Sequence, residues 1–195
     1  MKYEYNQHPF FMTNIKIEKA TISDLECIQE ISKQTFVETF ASVNTPKNIE
    51  NYVQENFNLE RLASEINNPE SDFYLAFSEM KTIGYLKINF ENSQTEISYK
   101  KALEIHRIYV LKEFHGKNIG QLLLDEAIKI AKQARVDYLW LGVWDENHRA
   151  LQFYSKNGFT AFDKHIFTLG NDAQTDLLMQ LQINKTQEND LQKSL

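Results

Sequence analysis

A single cysteine, Cys27, in 195 residues leaves no internal disulfide to form. No secretory leader and no apolar run long enough for a bilayer is legible, so the expectation is a protein of a reducing compartment, by default the cytoplasm, with no membrane partner. There is no excess of Lys and Arg, and the formal net charge is −6. Phosphate backbones are bound by clustered cations, so this balance speaks against nucleic acid and mildly for a cationic partner. Nucleotide loops are missing as well. Neither G-x-x-x-x-G-K-S/T nor a G-x-G-x-x-G after a strand occurs, which disfavours nucleoside triphosphates and dinucleotides. None of the five histidines stands in an H-E-x-x-H spacing, so no metal is expected, and no G-x-S-x-G elbow is present. Repeats and low-complexity linkers are lacking too, and the length suits one domain with an ordinary core.

What is there centres on Leu103 to Arg135. Leu103 to Val110 is rich in β-branched and aromatic residues and predicts a buried strand, whereas Ile119, Leu122, Leu123, Ala127, Ile130, Ala131 and Ala134 recur at helical spacing. Between them lies HGKNIG, His115, Gly116, Lys117, Asn118, Ile119 and Gly120. Glycine and asparagine tolerate left-handed backbone, and a helix start leaves several N–H groups unpaired. With the helix dipole, Lys112 and Lys117, such a turn can hold a pyrophosphate, although many glycine turns are only connectors.

In chain order, Met1 to Thr13 reads as a flexible extension and Ile15 to Ala20 as a first strand. Ser23 and Glu26 suggest a capping box for a helix buried along Leu25, Ile28, Ile31 and Phe36, with Cys27 beside the stripe as a small apolar filler. A second helical stretch runs from Pro46 to about Asn67, with a break near Asn56 to Leu59. Phe73 to Phe77 and Ile83 to Phe90 suggest a hairpin, and Glu91 to Lys101 a loop or exposed strand end. Tyr138 to Trp144 is a second buried strand, parallel to the first because a helix intervenes. Asn147 opens a helix that Asn157 and Gly158 close, Phe159 to Leu169 and Thr175 to Ile183 make a last strand pair around Gly170 to Gln174, and 184–195 reads as a disordered tail.

Strands and helices in this order, with LEIHRIYV, HGKNIG, LGVWDENHRALQFYSKNGF and a final strand pair, resemble the GNAT acetyltransferase family over roughly Ile15 to Ile183. The likeness is closest to the PaiA-type polyamine acetyltransferases, through Glu38 to Phe40, Trp140 to Trp144 and Gln174 to Met179. The resemblance implies an α/β fold, a mixed bent sheet flanked by helices, whose strands ending near Val110 and Trp144 splay apart to admit the pantetheine arm of acetyl-CoA. One motif departs from the pattern. Where the family's loop begins with Gln or Arg and has glycine three residues on, this chain has His115 and Asn118. Asn tolerates the left-handed backbone that glycine would take, and His115 still offers a donor.

Acetyl transfer to an amine needs the neutral amine, which at pH 7 is roughly one molecule in a thousand for a pKa of about 10.4. A placed carboxylate can take that proton, and Glu104 stands where the resemblance puts a base; an edge-strand glutamate in a surface ion pair is the alternative. Tyr154 matches the family's N-x-x-A-x-x-x-Y pattern, from Asn147 through Ala150, and would protonate the leaving thiolate; a plain core tyrosine is the alternative. The resemblance also implies that Asn147 bonds the pantetheine arm, that Ile108, Tyr109 and Val110 border it as a strand would, and that Arg149 and Lys156 meet phosphates. For a polycationic acceptor, carboxylates and aromatic faces are needed, and the resemblance makes Phe36, Glu38, Phe40, Tyr85, Trp144 and Asp176 the candidates, with ordinary core or surface as the alternative for each. The expected reaction is direct attack on acetyl-CoA by a polyamine such as spermidine or spermine, in a monomer or homodimer. Other readings are a protein N-terminus, lysine or another small amine as acceptor, and a regulator that binds acetyl-CoA or DNA without turnover.

Overall fold

The computed structural model describes residues 14–96, 101–169 and 172–184. The extension at 1–13, the turn residues 170–171 and the tail at 185–195 lie outside the described residues. The chain runs β1 (Ile15–Lys19), α1 (Leu25–Phe40), α2 (Pro46–Asn56), α3 (Leu59–Ile66), β2 (Ser71–Ser78), β3 (Lys81–Asn89), β4 (Ala102–Val110), α4 (Ile119–Gln133), β5 (Tyr138–Trp144), α5 (His148–Lys156), β6 (Thr160–Leu169) and β7 (Asp172–Gln182). Expected and observed elements agree in kind and order. The break between α2 and α3 falls at Phe57 and Asn58, where the Asn58 side chain accepts from the Arg61 N–H at 2.8 Å and starts a new helix. Four details differ. The cap before α1 lies two residues upstream of Ser23 and Glu26, with the Thr21 N–H donating to Asp24 Oδ2 at 2.8 Å. Cys27 is exposed rather than a filler. α4 ends before Ala134, which is exposed, and Leu124 joins its buried stripe. β7 begins at Asp172, earlier than Thr175, because its pairing with β6 extends to the turn.

The strands form one sheet in the order β1-β2-β3-β4-β5-β7-β6. All neighbours are antiparallel except β4 and β5, which α4 joins as a crossover. Side chains alternate across the sheet. A Cβ on Gly84 would come within 3.4 Å of Leu123 on α4, while Lys87, an odd number of residues away, meets Glu65 of α3. Thus α4 covers one face, and α1 and α3 cover the other. Gly84 itself admits no side chain, since its Cβ would sit 2.8 Å from the Tyr109 carbonyl oxygen.

Two features of β4 open the sheet. Its register against β3 slips between Lys87↔Arg107 and Ile88↔Ile105, which leaves His106 as the extra residue of a β-bulge. A bulge bends its strand and increases the twist. On the other side, β4 and β5 pair only at Ala102↔Tyr138, Leu103↔Leu139 and Glu104↔Trp140. The ladder therefore ends where the bend begins, and the two strands diverge from there, as the resemblance implies.

Candidate active site

The gap between the diverging halves of β4 and β5 is the floor of a cleft of about 970 Å³. Every residue from Glu104 to Val110 borders it, as do Trp140 to Trp144, the start of α4, part of α5, and the aromatic face of α1 and α2. A parallel pair that separates exposes main-chain N–H and C=O groups on both banks, and these can bond a ligand laid between them. Ile108, Tyr109 and Val110 form one bank, as expected.

At one end the turn after β4 is built for an anion. Asn118 takes a left-handed conformation (φ 66°), and Gly116 has φ 77°. The first α4 bond is Leu122 N–H to the Asn118 carbonyl at 3.1 Å, so the N–H groups of Ile119, Gly120 and Gln121 have no acceptor inside the helix. Gly116, Asn118, Ile119, Gly120 and Gln121 all border the cleft. His115 has a defined role there. Arg149 Nη1 lies 2.7 Å from His115 Nδ1, and His115 Nε2 lies 2.8 Å from the Val110 carbonyl oxygen. A guanidinium only donates, so Nδ1 accepts and Nε2 carries the proton that it gives to Val110. His115 thereby holds the Arg149 guanidinium over the turn. Lys112, which follows β4, is a further cation on the wall near this turn. The two remaining expected cations are elsewhere: Lys117 is not on the cleft wall and places its ammonium 4.7 Å from the Phe114 ring centre, and Lys156 is exposed outside the cleft. Asn147 borders the cleft and caps α5, with its Oδ1 accepting from the Ala150 N–H at 3.1 Å.

Glu104 stands where β4 and β5 part. It is 3 % exposed, so the surface ion-pair alternative falls. Asn89 Nδ2 donates to its Oε2 at 2.9 Å, the Thr95 N–H donates to the same oxygen at 3.0 Å, and the Thr95 hydroxyl donates to Oε1. Ser71 in turn donates to Asn89 Oδ1 at 2.9 Å, which fixes the amide's orientation. Burial raises the Glu104 pKa above its ordinary value, against the opposing pull of Thr95, Asn89 and Lys87.

On the far bank, α5 brings Tyr154 to the wall, 7 % exposed and packed against Phe153 and Phe159 at ring distances of 5.2 and 5.6 Å. Burial pushes its phenol pKa up, so the hydroxyl keeps its proton. Phe36 stacks on Tyr52 at 4.3 Å and contacts Phe40 and Phe57, and Phe40 lies 6.4 Å from Trp144. These rings line the acceptor side. Tyr52 and Phe57 are additions that the sequence reading lacked, since their helical periodicity looks like core. Glu38 reaches the wall too, though its Oε2 accepts from the Lys112 N–H at 2.7 Å and ties α1 to the turn after β4. Asp176 sits opposite Trp144 on β7 with His165 across the next strand pair, and His165 Nδ1 lies 2.5 Å from Glu96 Oε1; all three groups line the cleft. Burial, then Asp145, raises the Asp176 pKa against the pull of His165. Tyr85 does not join them. It is 1 % exposed in the core and absent from the cleft wall, although its ring lies 6.0 Å from that of Tyr109.

Comparison with known proteins agrees with this geometry. The model of the acetyltransferase (GNAT) family matches residues 29–159. The chain is 36 % identical over 168 residues to an uncharacterized N-acetyltransferase in the pepI 3′ region of Lactobacillus delbrueckii subsp. lactis, covering 86 % of this chain and 97 % of that one. It is 32 % identical over 154 residues to the spermidine N(1)-acetyltransferase of Thermoplasma acidophilum, covering 77 % and 91 %. Among solved structures, the PaiA N-acetyltransferase of Thermoplasma acidophilum in complex with coenzyme A superposes with a TM-score of 0.72 at 30 % identity, over 87 % of this chain and 99 % of that one. With its splayed strand pair, its anion turn and these relatives, the chain belongs to the GNAT family and is a PaiA-like, acetyl-CoA-dependent N-acetyltransferase.

Proposed function

We propose that the acceptor is a polyamine of the spermidine and spermine type. One observation carries this reading: the acceptor end of the cleft combines the carboxyl groups of Glu38, Glu96, Glu104 and Asp176 with the rings of Phe36, Phe40, Tyr52, Phe57 and Trp144. Carboxylates attract ammonium groups, and aromatic faces suit both cations and methylene chains. The 32 %-identical relative named as a spermidine N(1)-acetyltransferase supports the same class.

In this reading acetyl-CoA supplies an activated acyl carbon, and the chain's own residues do the rest. The N–H groups of the turn at Asn118 to Gln121, with Arg149 and Lys112, hold the phosphates, while Ile108 to Val110 and Asn147 hold the arm. Glu104 accepts the proton that the attacking amine must lose, directly or through one water. Its raised pKa brings it closer to a working range than a solvated carboxyl, and making the neutral amine costs about 4–5 kcal/mol at pH 7. As the new C–N bond forms and the C–S bond breaks, Tyr154 donates its proton to the departing sulfur. Attack is direct. Cys27, the chain's one thiol, is exposed on α1 and does not border the cleft, so it offers no covalent route.

The test is acetyl-CoA consumption, read as thiol release, with spermidine, spermine, putrescine, lysine peptides and small aromatic amines at saturating cofactor. Saturable turnover with spermidine and spermine is the expected outcome. Turnover with peptides alone would reassign the acceptor, and tight acetyl-CoA binding without turnover on any amine would favour a binding protein.

A further inference from the structure

Behind Glu104 lies a buried group of charges that the transfer reaction does not use. On β3, Lys87 is 4 % exposed, and its Nζ lies 2.9 Å from Glu65 Oε2 on α3. The same carboxylate already serves Arg107, 7 % exposed, whose Nη1 and Nη2 donate at 2.8 and 3.3 Å. One carboxylate therefore faces two buried cations. Interior charges are retained where they are paired, so a second anion is required on this face. Glu104, buried on the same face, is the carboxyl placed to supply it. Asn89 is two residues from Lys87 on β3 and so points to the same face, where it donates to Glu104.

We infer that Lys87 is a positioning residue for Glu104: its buried ammonium, paired with Glu65 on the sheet face that also carries Asn89 and Glu104, keeps the Glu104 carboxyl anionic and turned toward Asn89. The inference rests on the reading of Glu104 as the base. A base is useful only when ionised, and burial alone would favour its protonated form. The hydrogen bonds from Asn89 and Thr95 and the field of Lys87 oppose that. Among the described residues Asn89 from β3 and Thr95 from the following segment bond Glu104, Trp140 of β5 pairs with it, and the charged set of Lys87, Arg107, Glu65 and Arg61 lies along the same sheet face, with His106 and Arg107 following on β4.

The direct measurement is a carboxyl-carbon NMR titration of Glu104 in protein labelled at glutamate, which needs no substrate. In the wild type the signal moves once for Glu104 itself and again, by less, near pH 8, where burial and Arg107 have brought the Lys87 pKa down to about 8. In Lys87→Met the main titration moves up by about one pH unit, and in Lys87→Arg it stays at the wild-type position. The acid limb of kcat/KM with spermidine follows the same order, while the Kd for coenzyme A is unchanged in all three proteins. A wild-type Glu104 signal flat from pH 7 to 11, which spans any titration of Lys87, or a Lys87→Met titration superimposed on wild type, would overturn the inference, and the first of these needs no variant to fold. The base reading fails separately: Glu104→Gln with full turnover would sink it, whatever the carboxyl titration shows.

Discussion

Tyr154 shows how burial shapes a single residue's chemistry. Packed among Phe153 and Phe159, its phenol holds its proton more tightly than in water, as the proposed role of donor to the departing sulfur requires. Replacement of Tyr154 by Phe removes the donor but keeps the ring, so kcat falls by about 10² to 10³-fold while acetyl-CoA affinity stays put. Loss of affinity with kcat intact would instead mark Tyr154 as a wall of the arm's channel. Glu65 is a second case. Arg107 and Lys87 hold its pKa below the ordinary 4.5 against the cost of burial. A depressed carboxyl stabilises the fold at pH above its unfolded value, and this contribution is lost as pH falls through the lowered folded value. Glu65→Gln leaves two buried cations facing a neutral amide, and chemical denaturation at pH 7 should show a loss of about 3–5 kcal/mol. A loss under 1 kcal/mol would mean that water enters this network. At this scale the sequence was legible where a pattern was local, as in Asn147 to Tyr154, and opaque where partners lie far apart. Arg107 and Glu65 are 42 residues apart, and no spacing announces that they meet. Tyr85 misled for a related reason: the resemblance offered it for the acceptor, but nothing local in β3 shows that it lies in the core, where α1 packs on the strand and leaves it 1 % exposed.

Among the elements, the strand, turn and helix from β4 to α4 were readable because period two gives way to period 3.6 across a turn of Gly and Asn. The bend was not. A β-bulge at His106 depends on the register that β3 imposes, and the ladder between β4 and β5 ends just before it, at Glu104↔Trp140. The cleft thus lies where the pairing of β4 with both neighbours changes, which no single strand encodes and composition alone did not show. The turn makes the next prediction. Asn118 holds φ 66°, a conformation that costs a residue with a Cβ about 1–2 kcal/mol and costs glycine nothing. Asn118→Gly should bind coenzyme A at least as tightly as wild type by calorimetry. Asn118→Val, whose branched side chain resists this backbone, should bind about 5- to 30-fold more weakly, the same strain expressed as affinity. Equal affinity in both variants would show that the N–H groups following Asn118 do not carry the phosphates.

Taken whole, the molecule is an anion that binds an anion. Its formal net charge of −6 opposes coenzyme A at long range, so the α4 N-terminus, Arg149 and Lys112 must win at short range, where unpaired N–H groups and a fixed guanidinium act within a few ångströms. The acceptor end faces no such conflict. There the overall charge and the cleft carboxyls of Glu38, Glu96, Glu104 and Asp176 have the same sign, so both steering and binding favour a polycation. Among the described residues no helix is long and apolar enough to cross a membrane. Salt separates the two ends. Raising ionic strength from 0.05 to 0.5 M shortens the screening length from over 10 Å to about 4 Å, which weakens attractions across the cleft and spares direct contacts. At saturating acetyl-CoA, KM for spermidine should therefore rise on the order of tenfold over that range, while KM for a monoamine of similar length should change less than twofold, because three ammonium groups sum over several carboxylates and one does not. Parallel salt curves for the two amines would mean that the acceptor is held by its reacting nitrogen and methylenes alone, and the aromatic wall of Phe36, Phe40, Tyr52, Phe57 and Trp144 would then set its selectivity.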